Sequence, residues 1–150
     1  MEIDVHLPQL HALFAQQGVV LAYLFGSQAE GTAGPLSDVD IAVLLGLDVP
    51  PEQWSDVQID LIGDLVSLFH RDDVDVVILN RATPLLAHRV ATQGRVIYEP
   101  DPLVRTHFEV EALRRYVDTA PLRRLRWAYL GWRASQRQKS RPAAVAGGDK

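Results

Sequence analysis

The chain has 150 residues, which suits one domain with a small appendage, and its 47% hydrophobic and 23% charged residues exclude a disordered protein. It contains no cysteine, which excludes disulfides, zinc–thiolate sites and a thiol nucleophile. The net charge is −4, and the charged residues are unevenly distributed along the chain. Residues 1–120 hold seven Arg against eighteen acids, whereas residues 121–150 hold eight Lys and Arg against one Asp.

The sequence pattern predicts helices and short strands along the chain. In order, the pattern predicts a helix over 7–17 that stops at Gly18, strands over 19–25 and 38–45, a helix over 50–69, a strand over 74–79, a helix over 83–93 with Thr83 as its cap, a strand over 95–98, and helices over 102–118 and from 121. The second helix should bury a stripe that includes Ile59, and the fourth should bury Phe108, Val110, Leu113 and Tyr116. This order predicts an α/β or α+β domain.

One group of residues has a spacing that indicates chemistry. Gly26 and Ser27 end the first strand, ten residues follow, and Asp38 and Asp40 begin the next strand. Because residues two apart on a strand point to the same side, these carboxylates would be presented together, and they would repel each other unless a cation lay between them. Mg²⁺ is commonly bound by one or two carboxylates plus substrate phosphates. The Gly-Ser turn offers backbone N–H groups and a hydroxyl to a triphosphate.

A third carboxylate would complete a two-metal site. Asp75, near the start of the third strand, is favoured because it lies inside the apolar run, whereas Asp72 and Asp73 precede it. Asp73 remains an alternative, since strand alternation places it on the same face as Asp75.

The segment GSQAEGTAGPLSDVDIAVLL resembles the signature of the DNA polymerase β-type nucleotidyltransferases, with its Gly-Ser, ten-residue gap and Asp-x-Asp. The segments VDVVILNRATPLLAHRV, GRVIYEPD and FEVEALRRYVD resemble those of minimal nucleotidyltransferases, in particular the antitoxins of HEPN/MNT toxin–antitoxin pairs. The resemblance covers roughly residues 5–120. It implies a short, mixed, mostly antiparallel sheet flanked by helices.

The resemblance also implies a role for each residue of the motif. Gly26 and Ser27 would grip the phosphates of the nucleotide, and Asp38 and Asp40 would bind two Mg²⁺ ions. Asp75 would serve one metal and assist deprotonation of the acceptor hydroxyl. The implied reaction transfers AMP from ATP to a tyrosine of a HEPN-family RNase toxin, which silences that toxin.

Two other functions remain open from the sequence. An antitoxin could neutralise its toxin by binding alone, although three neighbouring carboxylates have no evident use in such a protein. A nucleotidyltransferase could instead modify a small hydroxylated molecule such as an antibiotic. Such enzymes commonly carry a second substrate-binding domain, for which only the last thirty residues would be available.

The chain ends in a segment of different composition. We expect a nucleotidyltransferase domain over 1–120, a basic aromatic helix over 121–138 and an unstructured tail over 139–150. The helix intersperses Arg with Trp127, Tyr129 and Trp132, which suits stacking on RNA or contact with a protein. The acidic body disfavours nucleic acid, so we favour a protein contact, with a toxin or in an oligomer.

The location follows from two further features of the sequence. No apolar run is long enough for a membrane helix. The N-terminus carries acids where a secretion signal would carry bases. We therefore expect a cytoplasmic protein without a membrane segment.

Overall fold

The computed structural model describes residues 3–26 and 38–140, apart from the Ser140 side chain. The strands of this part of the chain are β1 (Val19–Phe25), β2 (Val39–Leu45), β3 (Val74–Ile78) and β4 (Arg95–Tyr98). The α-helices are α1 (Leu7–Gln16), α2 (Trp54–Phe69), α3 (Pro84–Gln93), α4 (Pro102–Asp118) and α5 (Ala120–Ser140). Short 3₁₀ turns occupy Ile3–His6, Pro51–Gln53 and Leu79–Arg81.

The four strands form one sheet in the order β3-β2-β1-β4. β1 runs antiparallel to both β2 and β4, whereas β2 and β3 are parallel. Parallel neighbours need a long crossover, and α2 supplies it between β2 and β3. The predicted fold class, a short, mixed, mostly antiparallel sheet flanked by helices, is confirmed.

The sheet separates two apolar layers. On one face it packs against α1 and α2, with core residues that include Phe14 and Leu61. On the other face it packs against α3 and α4, with Val90 and Phe108 in the core. Burying each such side chain contributes about 1.5–3 kcal/mol, so both helical layers hold the sheet in place. The second layer is the one that borders the predicted site.

Local signals in the sequence set several element ends. Gly18, two residues after the end of α1, adopts a φ of +78°, a conformation that suits glycine. Thr83 caps α3 by accepting a hydrogen bond from the Leu86 N–H at 3.2 Å, as predicted. Asp101 caps α4 in the same way through the Leu103 N–H at 3.0 Å.

The predicted burial of three apolar residues is wrong. Ile59 in α2 is 66% exposed, and Val110 and Leu113 in α4 are 60% and 54% exposed. α2 and α4 each contact the sheet through buried residues spaced four apart, such as Phe108 in α4. The exposed residues point in directions about 100–200° around the helix axis from these buried residues. Tyr116 is half-buried. The contact stripes are therefore narrower than the sequence pattern predicts.

The last helix, α5, follows α4 almost directly and buries none of its described side chains. It runs two residues beyond the predicted end at residue 138, and residues 141–150 of the predicted tail lie outside the described residues. Its leucines and aromatic residues, including Trp127 at 72% exposure, face solvent. Across the described ranges, no helix has the length and apolar character needed to span a membrane.

Candidate active site

The three predicted acids lie at one end of the sheet, where β1 ends and β2 and β3 begin. Asp40 is the direct partner of Asp75 in the parallel register and of Phe25 in the antiparallel register. Partners in register present their side chains on the same face, and Asp38 precedes Asp40 by two residues. The structure therefore brings Asp38, Asp40 and Asp75 to one face, the face that α3 and α4 cover.

The electrostatics of this group favour a bound cation. The pKa of the half-buried Asp40 carboxyl is raised, first by burial and then by the negative charges of Asp75 and Asp38. All three effects penalise the ionised carboxylate. A cation held between the acids would reverse the two charge effects.

Gly26 lies against the carboxylate of Asp40. Its φ is +76°, and a Cβ built at this position would lie 2.7 Å from Asp40 Oδ2. A side chain there would be strained and would collide with the carboxylate. The turn after β1 thus passes close to Asp40 because residue 26 is glycine. Ser27, its predicted partner in phosphate binding, lies outside the described residues.

The structure separates Asp75 from its alternative, Asp73. Arg71 donates two hydrogen bonds to the Asp73 carboxylate, and this contact lowers the pKa of Asp73. The Asp73 carbonyl also accepts the Val39 N–H at 2.8 Å, which fixes the start of β2. By contrast, the exposed Asp75 carboxylate accepts the adjacent Val76 N–H at 2.9 Å. Asp73 thus has a structural ion-pair partner, and Asp75 is the acid in register with Asp40.

A cavity of about 450 Å³ opens beside these acids, between the end of the sheet and α3. Its described lining residues are Phe25, Gly26, Asp40, Leu86, Arg89 and Gln93. The volume falls within the range of about 300–1,000 Å³ that is common for small-molecule sites. The site therefore has room for a ligand directly against Asp40.

The helical wall of this cavity was missed by sequence reasoning. Leu86, Arg89 and Gln93 are three and seven residues apart, so they share one face of α3. This spacing is visible in the sequence, but it does not reveal that the face meets Asp40.

The oxygen chemistry of the acids suits a hard divalent cation, although their spacing does not form a complete metal cage. Within 3–26 and 38–140, no three acidic, histidine or cysteine side chains are close enough together to hold a metal ion by themselves. Mg²⁺ does not require such a cage, because it keeps several waters and takes one or two carboxylates together with substrate phosphates. Asp38, Asp40 and Asp75 offer oxygen donors of this kind, and their mutual repulsion is the property that a cation would relieve.

Comparison with known families identifies the family of this chain. Residues 9–103 match the model of the family described as "Polymerase beta, Nucleotidyltransferase". This match covers more than half of the chain, and the chain belongs to that family. The predicted relationship to the polymerase β-type nucleotidyltransferases is thereby confirmed.

Two similar proteins are named as protein adenylyltransferases. A protein adenylyltransferase MntA from Shewanella oneidensis is 38% identical over 79 residues, which make up 52% of this chain and 52% of that protein. A second MntA, from Aphanizomenon flos-aquae, is 35% identical over 82 residues, with 51% and 54% covered. The chain thus spans about half the length of the curated relatives it matches.

A solved structure extends the similarity over more of the chain. It is described as a crystal structure of a toxin–antitoxin with AMP-PNP, and one of its chains superimposes with a TM-score of 0.71 at 28% identity. The superposition covers 83% of this chain and 97% of that chain. That complex contains an ATP analogue.

Proposed function

We propose that this protein is a Mg²⁺-dependent nucleotidyltransferase that moves AMP from ATP to a tyrosine of a HEPN-family RNase toxin and so acts as its antitoxin. The observation that carries the proposal is the register of Asp40 with Asp75 beside the Gly26 turn, at the edge of a cavity large enough for a ligand. The names of the MntA relatives and the AMP-PNP complex support ATP as the donor.

The reaction needs an oxygen nucleophile, a phosphorus centre and a leaving group in line. The acceptor tyrosine oxygen forms a bond to the α-phosphorus of ATP, the bond from that phosphorus to the bridging oxygen breaks, and pyrophosphate leaves. The tyrosine proton passes to Asp75 or to solvent. Catalysis of this kind depends mainly on positioning and charge neutralisation.

Each motif residue has a role in this proposal. Asp38, Asp40 and Asp75 would hold two Mg²⁺ ions, which when bound neutralise phosphate charge and make the acceptor oxygen easier to deprotonate. Gly26 lets the phosphates approach the backbone, and Ser27 adds a hydroxyl donor. Asp75, an exposed acid in register with Asp40, would face the incoming acceptor.

The toxin partner is proposed to contact the basic aromatic helix over 121–138, which adjoins the nucleotidyltransferase domain over 1–120. The leucines and aromatic residues of this helix are 40–72% exposed, and a protein partner would cover them. We place the reaction in the cytoplasm, where ATP and Mg²⁺ are supplied.

The intact mass of a HEPN toxin, incubated with this protein, ATP and Mg²⁺, tests the proposal. We expect one or more AMP units to be added by the wild type and none by Asp40→Asn. Asp72→Asn removes an exposed acid outside the site and should keep full activity. Full activity in Asp40→Asn would contradict the proposal.

The same experiment separates the alternatives. An unmodified toxin that is still neutralised by both the wild type and Asp40→Asn would indicate an antitoxin that acts by binding alone. An unmodified toxin that stays active would direct attention to small-molecule acceptors.

A further inference from the structure

One cationic side chain in the body of the protein, which we define as residues 3–119, has no partner among the described residues. Six of the seven arginines between residues 3 and 119 donate hydrogen bonds to a side-chain or backbone oxygen, namely Arg71, Arg81, Arg95, Arg105, Arg114 and Arg115. The seventh, Arg89, makes no hydrogen bond or ion pair from its guanidinium within 3–26 and 38–140. In so acidic a body, a guanidinium without a partner among the described residues is a candidate to bind an anionic ligand.

Arg89 lines the cavity beside the acids. It projects from the middle of α3, and among the described lining residues it is the single cation. Asp40 lies on the opposing wall, at the end of the sheet. Charges of opposite sign thus border one cavity without forming an ion pair across it.

The separation of the two charges is itself informative. Arg89 and Asp40 line the same cavity of about 450 Å³, and no salt bridge or hydrogen bond joins their side chains. The cavity between the guanidinium and the carboxylate can therefore take a ligand. A ligand that complements both residues would present negative charge to Arg89 and a bound cation to Asp40. A metal-bound polyphosphate has both properties.

We propose that Arg89 binds the β- and γ-phosphates of ATP and stabilises the pyrophosphate as it leaves. This inference rests on the proposed function, because that reaction places the α-phosphorus against Asp40 and Asp75. The remaining phosphates then extend across the cavity toward α3. A guanidinium suits this task, since it binds phosphate oxygens through two parallel N–H donors.

The neighbours of Arg89 on α3 support this orientation. Gln93, one turn further along the helix, is exposed and offers an amide to the same phosphates. Leu86, one turn before it, and Phe25 on the sheet wall are apolar and suit the nucleoside part of the ligand. The charged and apolar lining residues thus divide the cavity into a phosphate side and a nucleoside side.

The test compares a ligand that has the β- and γ-phosphates with one that lacks them. Binding of AMP-PNP and of AMP, each with Mg²⁺, is measured by titration calorimetry for the wild type, Arg89→Gln and Arg89→Lys. Arg95→Gln is the matched control, because Arg95 is exposed, pairs with Asp4 and lies in β4 outside the cavity. Arg89 is exposed, so melting temperatures should stay within about 2 °C of the wild type.

We expect Arg89→Gln to weaken AMP-PNP binding by about 10- to 100-fold, the usual effect of losing a hydrogen bond between charged groups, and AMP binding by less than about 3-fold. Arg89→Lys should be intermediate, because lysine keeps the charge but loses the paired donors. Arg95→Gln should change neither affinity.

Three outcomes would overturn the proposal. Equal losses for AMP-PNP and AMP would place Arg89 at the nucleoside or the α-phosphate instead. Unchanged AMP-PNP binding in Arg89→Gln would remove Arg89 from the site and leave the proposed function intact. A wild type that binds neither ligand would overturn both the assignment of Arg89 and the proposed function.

Discussion

Gly26 shows how one residue can set the geometry of the site. An alanine at this position would be held at a φ of +76°, and its Cβ would lie 2.7 Å from Asp40 Oδ2. We expect Gly26→Ala to lower the free energy of unfolding by about 1–3 kcal/mol, the usual cost of a strained backbone. AMP transfer should also fall, because Asp40 must move aside. Urea unfolding and the toxin mass assay measure the two effects.

Gly63 provides the control for Gly26. It lies within α2, and a Cβ built there would meet nothing within 4 Å. Gly63→Ala should raise the free energy of unfolding by about 0.5–1 kcal/mol, because alanine favours the helix, and should leave transfer unchanged. A Gly26→Ala protein as stable and active as the wild type would refute the close contact with Asp40.

The Asp40 carboxylate is expected to lower the stability of the fold and to be required for AMP transfer. Its raised pKa means that the folded protein holds the proton more tightly than the unfolded chain does, so ionisation lowers stability. This cost is absent well below the ordinary aspartate pKa of about 4 and develops as the pH rises through the pKa of the folded state. Asp40→Asn should therefore melt higher than the wild type at pH 7, with no such advantage at low pH, while transfer falls by at least about 100-fold.

Thermal melts from pH 3 to pH 8, without Mg²⁺, measure the stability effect of Asp40→Asn. Asp72→Asn, which changes an exposed acid outside the site, serves as the control. An Asp40→Asn protein that melts below the wild type at pH 7 would mean that the carboxylate stabilises the fold.

Between elements, a polar contact joins β1 to α4. The buried Tyr23 hydroxyl donates to Glu109 Oε2 at 2.7 Å, and Arg105 Nε donates to the same oxygen at 3.2 Å. Burial, followed by the hydrogen bond and charge of Glu109, raises the pKa of Tyr23. The sheet and the layer that borders the site are thus joined by a hydrogen bond as well as by apolar packing.

The raised pKa of Tyr23 predicts a loss of stability in alkali. Between the ordinary tyrosine pKa of about 10 and the higher folded value, the unfolded chain releases a proton that the folded protein keeps, so stability falls as the pH rises. Tyr23→Phe should lose about 1–2 kcal/mol at pH 7 and show a weaker fall above pH 10. Urea unfolding from pH 7 to pH 11 tests this, with the exposed Tyr129→Phe as control. Equal alkaline slopes in the wild type and Tyr23→Phe would contradict it.

The contacts of α5 with the body are limited. Arg123 lies over the Tyr116 ring at 3.6 Å and donates to Thr119 Oγ1 at 2.6 Å, while His88 of α3 stacks on the same ring at 3.8 Å. A cation–π contact at an exposed site is worth about 0.5–1 kcal/mol. The body of the protein therefore does not depend on α5 for its core.

At the scale of the whole molecule, removal of α5 should separate folding from partner binding. A chain that stops after Thr119 should melt within about 4 °C of the full chain, because it loses no buried side chain. It should bind the toxin at least about 10-fold more weakly if the helix over 121–138 is the contact. Thermal melts and toxin titrations measure the two effects, and an unfolded truncated chain would show that α5 belongs to the domain.

Local sequence patterns predicted most elements well. The strands over 19–25 and 95–98 and the helix capped by Thr83 lie where the sequence places them, because alternation, capping and helix stops are properties of neighbouring residues. The predicted burial of Val110 and Leu113 is wrong because burial is not a property of neighbouring residues alone. How much of a helix is covered depends on the angle at which it meets the sheet, and that angle is not encoded in a few residues.

The spacing of Gly26, Asp38 and Asp40 can be read directly from the chain, and a period of two is enough to place the two acids on one face of a strand. The register of Asp75 with Asp40, and the pairing of Asp73 with Arg71, could be found only in the folded protein. Likewise, it is the packing of α3 against the end of the sheet that puts Arg89 in the same cavity as Asp40. Strand register and helix placement are set by contacts between residues far apart in the chain, which local periodicity does not report.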